Sequence, residues 1–119
     1  MHRSVPVPLV TLLFVGCERW TLERKLIGKW TGCSMDTCSI TTFSADHTFS
    51  NRFEDADSDS YSGTWRTEGK IIILHVERAS TGVEDILGKD MRWIIFDFHG
   101  DTLIAGYDAQ HQLPLTRVK

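Results

Sequence analysis

An all-β fold, an up-and-down barrel of about eight antiparallel strands with a short N-terminal helix, is what the sequence predicts. Three observations point there. Beyond residue 26 apolar side chains recur with period two. Turn residues interrupt the pattern at short intervals, the spacing of an all-β chain. The hairpins so defined each carry one aromatic-rich face, and a sequential meander with one apolar face closes most simply on itself, removing its exposed edges. With 119 residues, 41% hydrophobic and 24% charged, the chain has the length and composition of one folded domain. Its 13 Lys and Arg against 16 Asp and Glu leave a net charge of −3, so there is no basic surplus for phosphates and no nucleic-acid partner is expected. The longest apolar stretch is shorter than the about 18–20 residues of a membrane-spanning helix.

That stretch opens the chain. Residues 1–17 read MHRSVPVPLVTLLFVGC, with His2 and Arg3 as a positive start, an apolar core from Val5 to Val15, and small Gly16 before Cys17. This is the layout of a secretory signal peptide. A first β-strand is the competing reading, but Pro6 and Pro8 would each remove a ladder donor. The ending Leu-Phe-Val-Gly-Cys resembles the lipobox of bacterial lipoproteins. The resemblance implies cleavage before Cys17, acylation of that cysteine and a membrane anchor. More than one acyl chain is needed for a stable anchor. Glu18, where an inner-membrane lipoprotein often has Asp, implies the outer membrane, facing the periplasm. The expected organisation is a signal peptide over 1–16, a lipidated cysteine with a tether and short helix over 17–26, and the barrel over 27–119.

The helix is expected over residues 18–26, where Leu22 and Leu26 lie one turn apart. Strands follow at about 27–33, 38–44, 48–54, 60–67, 70–77, 90–98, 102–107 and 113–118. Between the first two stand Cys33 and Cys38. Lipidation of Cys17 leaves these as a pair, and a disulfide across the turn would contribute roughly 2 kcal/mol. Free thiols or a metal half-site are the alternatives, although no second Cys-x-x-Cys or paired His supplies further ligands. Ala45-Asp46-His47 forms the next hairpin loop and sets Phe43 opposite Phe49. Glu68-Gly69 sets Trp65 opposite Ile72 and Tyr61 opposite Val76. Residues 79–89 are the one long connection, with room for a helical turn. Gly100-Asp101 suits a II′ turn and places Phe98, Phe96 and Ile94 on one face with Leu103, Ala105 and Tyr107.

Three segments resemble the lipocalins and small bacterial lipocalin-like proteins. They are Gly28-Lys29-Trp30 at the first strand, Thr42-Phe43-Ser44-Ala45-Asp46-His47-Thr48-Phe49 at a hairpin, and Gly63-Thr64-Trp65 before Glu68-Gly69. His47 replaces the usual Gly there, so a left-handed His is expected. The resemblance also implies that Trp30 lies at the closed end of the barrel under Arg117 from the last strand, a structural pair contributing roughly 0.5–2 kcal/mol.

No catalytic motif is present: there is no Gly-x-Ser-x-Gly, Gly-x-Gly-x-x-Gly or P-loop, and no enzyme activity is expected. Asp55-Ala56-Asp57-Ser58-Asp59 opens like a calcium loop, but its sixth and twelfth places hold Ser60 and Arg66. His47, His75, His99 and His111 are dispersed, so neither metal nor cofactor is expected. What remains is the aromatic face: Phe43, Phe49, Phe53, Tyr61, Trp65, Phe96 and Tyr107. It either fills the barrel or lines a cup, and a connected void of roughly 300 Å³ or more would mark a ligand site. The expected function is a membrane-tethered lipoprotein of the cell envelope binding a small hydrophobic molecule or envelope component. The alternative is a non-enzymatic inhibitor or protein-interaction module, with a solid interior and active loops. Inward aromatics also put Ile71, Ile73, Trp93, Ile95 and Ile104 outside, an apolar patch to be covered by the 18–26 segment, the 79–89 connection, a second copy, a protein partner or the membrane surface.

Overall fold

The computed structural model describes residues 21–34, 37–54 and 59–119. A short helix at 21–26 leads into β1 (Gly28–Ser34), β2 (Thr37–Phe43), β3 (Thr48–Phe53), β4 (Ser60–Glu68) and β5 (Ile71–Ala79). A 3-10 segment (Thr81–Ile86) precedes β6 (Asp90–His99), β7 (Thr102–Gly106) and β8 (Gln112–Arg117). Every strand pairs antiparallel with the next, and β8 returns to β1, closing the barrel. Alternation builds the wall: in β4, Tyr61, Gly63, Trp65 and Thr67 are buried while Thr64, Arg66 and Glu68 are exposed.

The turns set the register. His47 adopts φ +68°, and the Asp46 carboxylate accepts from the Thr48 amide and hydroxyl. Phe43 then pairs with Phe49. The β4–β5 loop is Gly69-Lys70, one residue later than expected, so Trp65 faces Leu74 and Thr67 faces Ile72. A bulge at Ser62/Gly63 moves Tyr61 opposite Ala79. The partners change by an even step below the bulge, so the faces survive.

A second bulge corrects the reading of β6. Phe98 pairs with Leu103 and Ile95 with Ala105, but register shifts between Ile95 and Asp97. The extra residue reverses the alternation. Met91, Trp93, Ile95 and Phe98 therefore pack with the core, whereas Phe96 turns outward and is 38% exposed. Phe96 does not line the interior, and Trp93 and Ile95 do not belong to an exterior patch. Ile71, Ile73 and Ile104 keep the outward parity, as does Ile94. Ile73 is nonetheless fully buried; its cross-strand neighbours are Arg66 and Arg92.

The core occupies the end of the barrel where the helix, the β2–β3 turn and the β6–β7 turn meet. Leu26 and Trp30 are fully buried there, with Phe43, Phe49 and Trp65 beside them. Trp65 meets Phe43 edge-on at 5.1 Å, and Phe98 meets Trp30 edge-on at 5.7 Å. The Trp30 indole donates to the Leu26 carbonyl at 2.9 Å. Over its ring, at 4.3 Å, lies the Arg117 guanidinium, which donates to the carbonyls of Lys25 (2.5 Å) and Ile27 (2.9 Å) and to the Asp101 carboxylate (3.1 Å).

Glu23 fastens the helix to the wall. Its carboxylate accepts from the Thr67 amide (3.1 Å) and hydroxyl (2.8 Å) and meets His47 Nε2 at 2.9 Å. Burial alone would raise this carboxyl, but the hydrogen bonds from His47 and Thr67 outweigh it and hold the pKa below its ordinary value. At the opposite end Cys33 and Cys38, paired across β1 and β2, form a disulfide with their Cα atoms 3.9 Å apart, nearer than the roughly 4.4–6.8 Å usual for such bridges.

A candidate binding cup at the open end

Inward side chains of β2, β3 and β4 stack in three layers. Phe43, Phe49 and Gly63 form the deepest, Thr41, Asn51 and Tyr61 the middle, and Ser39 and Phe53 the outermost. The deepest layer belongs to the solid core. Above it a cavity of about 180 Å³ opens toward the disulfide end. One wall is the polar middle layer; the others are Phe53, Trp93, Ala105, Leu113 and Leu115, with Tyr107 and His111 at the mouth. The backbone supplies part of the shape: a Cβ at Gly106 would lie 1.7 Å from the His111 carbonyl oxygen, so only glycine lets the β7–β8 turn fold this close.

The polar wall is desolvated. Asn51 is 3% exposed, and its Nδ2 donates to the Thr41 hydroxyl at 2.6 Å. Its Oδ1 is buried with no hydrogen-bond partner. Leaving such an acceptor unpaired costs about 1–3 kcal/mol. Burial pushes the Tyr61 hydroxyl pKa up, and the neighbouring Tyr107 phenol adds to the shift. Tyr61 is thus a neutral hydrogen-bonding group at any physiological pH. At the rim, Asp108 holds His111 at 2.7 Å, and that hydrogen bond together with the Gln110 amide keeps the Asp108 pKa below its usual value.

Of the seven aromatic residues read as one face, the structure divides three groups. Phe53, Tyr61 and Tyr107 line the cup, although Tyr107 is 60% exposed at its mouth. Phe43, Phe49 and Trp65 are core, and Phe96 is outside. Trp93 is a lining residue that the expected alternation assigned to the exterior. Thr41 and Asn51 were also missed, although their parity was readable: each lies two residues from an inward phenylalanine, a polar residue in an apolar register.

The four histidines among the described residues each meet one carboxylate, His47 with Glu23, His75 with Asp90, His99 with Asp97 and His111 with Asp108. Among the described residues no three His, Cys, Asp or Glu side chains converge to hold a metal ion. Residues 55–58 of the acidic run and Cys17 lie outside the described residues. What the cup offers chemically is an apolar enclosure with neutral hydrogen-bonding groups on one wall. Compared with known proteins, the chain matches no family model, no curated protein and no solved structure.

Proposed function

We propose that the protein is a membrane-tethered, lipocalin-like lipoprotein whose barrel binds a small, mainly apolar molecule in this cup. The observation that carries the reading is the cavity of about 180 Å³ with aromatic and aliphatic walls and one polar face. Typical ligand sites begin at roughly 300 Å³, whereas a cavity of roughly 150 Å³ holds benzene. The volume therefore fits a guest about the size of one ring, not a fatty acid or a polycyclic molecule. Cys17 in its lipobox-like setting supports the tether, and the small guest or envelope component would be met in the periplasm.

The same modest volume favours a second reading, an inhibitor or protein-interaction module acting through the loops around the mouth. Native mass spectrometry of the full-length protein from its own cells separates the two. A retained small molecule, lost when Trp93 is replaced by Ala, supports the cup. A second polypeptide with no small molecule supports the interaction module and overturns ligand binding.

A further inference from the structure

We infer that the guest is a small neutral molecule whose carbonyl oxygen accepts a hydrogen bond from the Tyr61 hydroxyl inside the cup. The inference rests on the cup being a binding site and adds the chemistry of what enters it. Tyr61 points inward from β4, is 7% exposed and lines the cavity. Its hydroxyl has no hydrogen-bond partner among the described residues. Asn51 Oδ1 is unpartnered too, but it is sealed from water, so no guest reaches it; the Tyr61 hydroxyl is not sealed. A side chain held inside the barrel meets water through the cup, on the side of Tyr107 at the mouth, the phenol close enough to add to its pKa shift. A guest that fills the cup displaces that water and must replace its hydrogen bond.

The other polar groups along the walls favour an acceptor on the guest. A phenolic hydroxyl can donate and accept, and conjugation of its lone pairs with the ring makes it the stronger donor. Trp93, which lines the same cup from β6, carries an indole N–H, a donor only. The indoles of Trp30 and Trp65 give theirs to the Leu26 and Ser44 carbonyls, whereas that of Trp93 has no partner among the described residues. Ser39 adds another hydroxyl in the outermost layer. A carbonyl oxygen, with two lone pairs, takes the Tyr61 proton and leaves room for one of these. A guest that only donates would leave the phenol and indole protons unpaired. Among the described residues no Lys or Arg lines the cup, so a carboxylate would bury an uncompensated charge. The burial that raises the Tyr61 pKa opposes a negative charge there for the same reason. A cavity of about 180 Å³ then admits a ketone, lactone or lactam of one ring.

The test titrates the full-length chain and its Tyr61→Phe variant, which keeps the ring and removes the hydroxyl, by ligand-observed NMR. The probes are cyclohexanone; methylenecyclohexane, with a methylene group in place of the oxygen; pyrrole, a donor without a strong acceptor; and cyclohexanecarboxylate. Each probe is compared with itself across the two proteins, which removes the differences in hydrophobicity between probes. Cyclohexanone should lose roughly tenfold in affinity on Tyr61→Phe, and methylenecyclohexane no more than roughly twofold. Equal losses, a larger loss for pyrrole than for cyclohexanone, or a carboxylate that binds the wild type more tightly than the ketone overturns the carbonyl inference and leaves the cup as a binding site. Failure of every probe to bind the wild type removes the binding site itself, and the inference with it. If Tyr61→Phe does not fold, nuclear Overhauser contacts in the wild-type complex decide. The Tyr61 ring protons beside the hydroxyl should reach the methylenes next to the carbonyl of cyclohexanone, and contacts confined to the far side of that ring overturn the inference.

Discussion

Arg117 joins three stretches of chain at the base of the barrel. Its hydrogen bonds to Lys25, Ile27 and Asp101 and its position over Trp30 place one cation on the helix, β1 and the β6–β7 turn. Hydrogen bonds from a charged group and a stacked indole each contribute on the order of 1–2 kcal/mol. Arg117→Ala should therefore lower unfolding free energy by about 3 kcal/mol, and Arg117→Lys should recover only part, lacking the planar fork. Urea denaturation measures both, and a loss below about 0.5 kcal/mol for the Ala variant would contradict the role. Glu23 makes the same region sensitive to acid. A carboxyl whose folded pKa is depressed contributes stability that is complete above its ordinary value of 4.5 and is lost as pH falls through the folded pKa. Thermal melts of Glu23→Gln should show a weaker fall between neutral and strongly acid pH than the wild type. Asp101, held low by Lys119 and Arg117, titrates in the same direction and leaves a residual slope.

At the scale of the element, β6 is where reading and structure part. Its run Met-Arg-Trp-Ile-Ile-Phe-Asp-Phe has apolar residues at both parities, so period two alone does not choose a face. Counting back from Phe98 chose wrongly because one inserted residue leaves composition and turn spacing untouched. Elsewhere the pattern was explicit. Turn residues located the β2–β3 and β6–β7 hairpins and the β4–β5 hairpin to within one residue, and the left-handed backbone at His47 followed from its standing where the resembled hairpin carries Gly. The apolar part of the cup was half legible: Phe53 and Tyr61 had clear inward parity, whereas Trp93 depended on the unseen bulge. The corrected faces make opposite forecasts for neighbouring residues. Ile95→Ala should destabilise by about 2–4 kcal/mol, as expected for a truncated core side chain, and Phe96→Ser by less than about 1 kcal/mol. Equal losses in chemical denaturation, or the reverse order, would restore the uninterrupted alternation.

For the whole molecule, closure accounts for the economy of the fold. Eight short strands leave no edge to shield, and the helix with Leu26 seals one end while the other stays concave. Anchoring belongs to this scale too. Wild-type protein should sediment with membranes and incorporate radiolabelled palmitate, and Cys17→Ser should do neither. Absence of label from the wild type would refute lipidation and leave the described barrel as it stands, since its strands run from Gly28 to Arg117.

The two ends of the barrel are not equivalent, and that polarity has a consequence for traffic. Residue 21 and the final strand both leave from the sealed base, where Val118 pairs with Lys29 and Arg117 grips Lys25, while the cup opens among the β1–β2, β3–β4 and β7–β8 connections. Moored by its base as proposed, the molecule would stand like a goblet on its stem, rim toward the water. The proposed guest would then arrive through the aqueous phase instead of sliding in from the bilayer, and would have to be soluble enough to make that journey unaided.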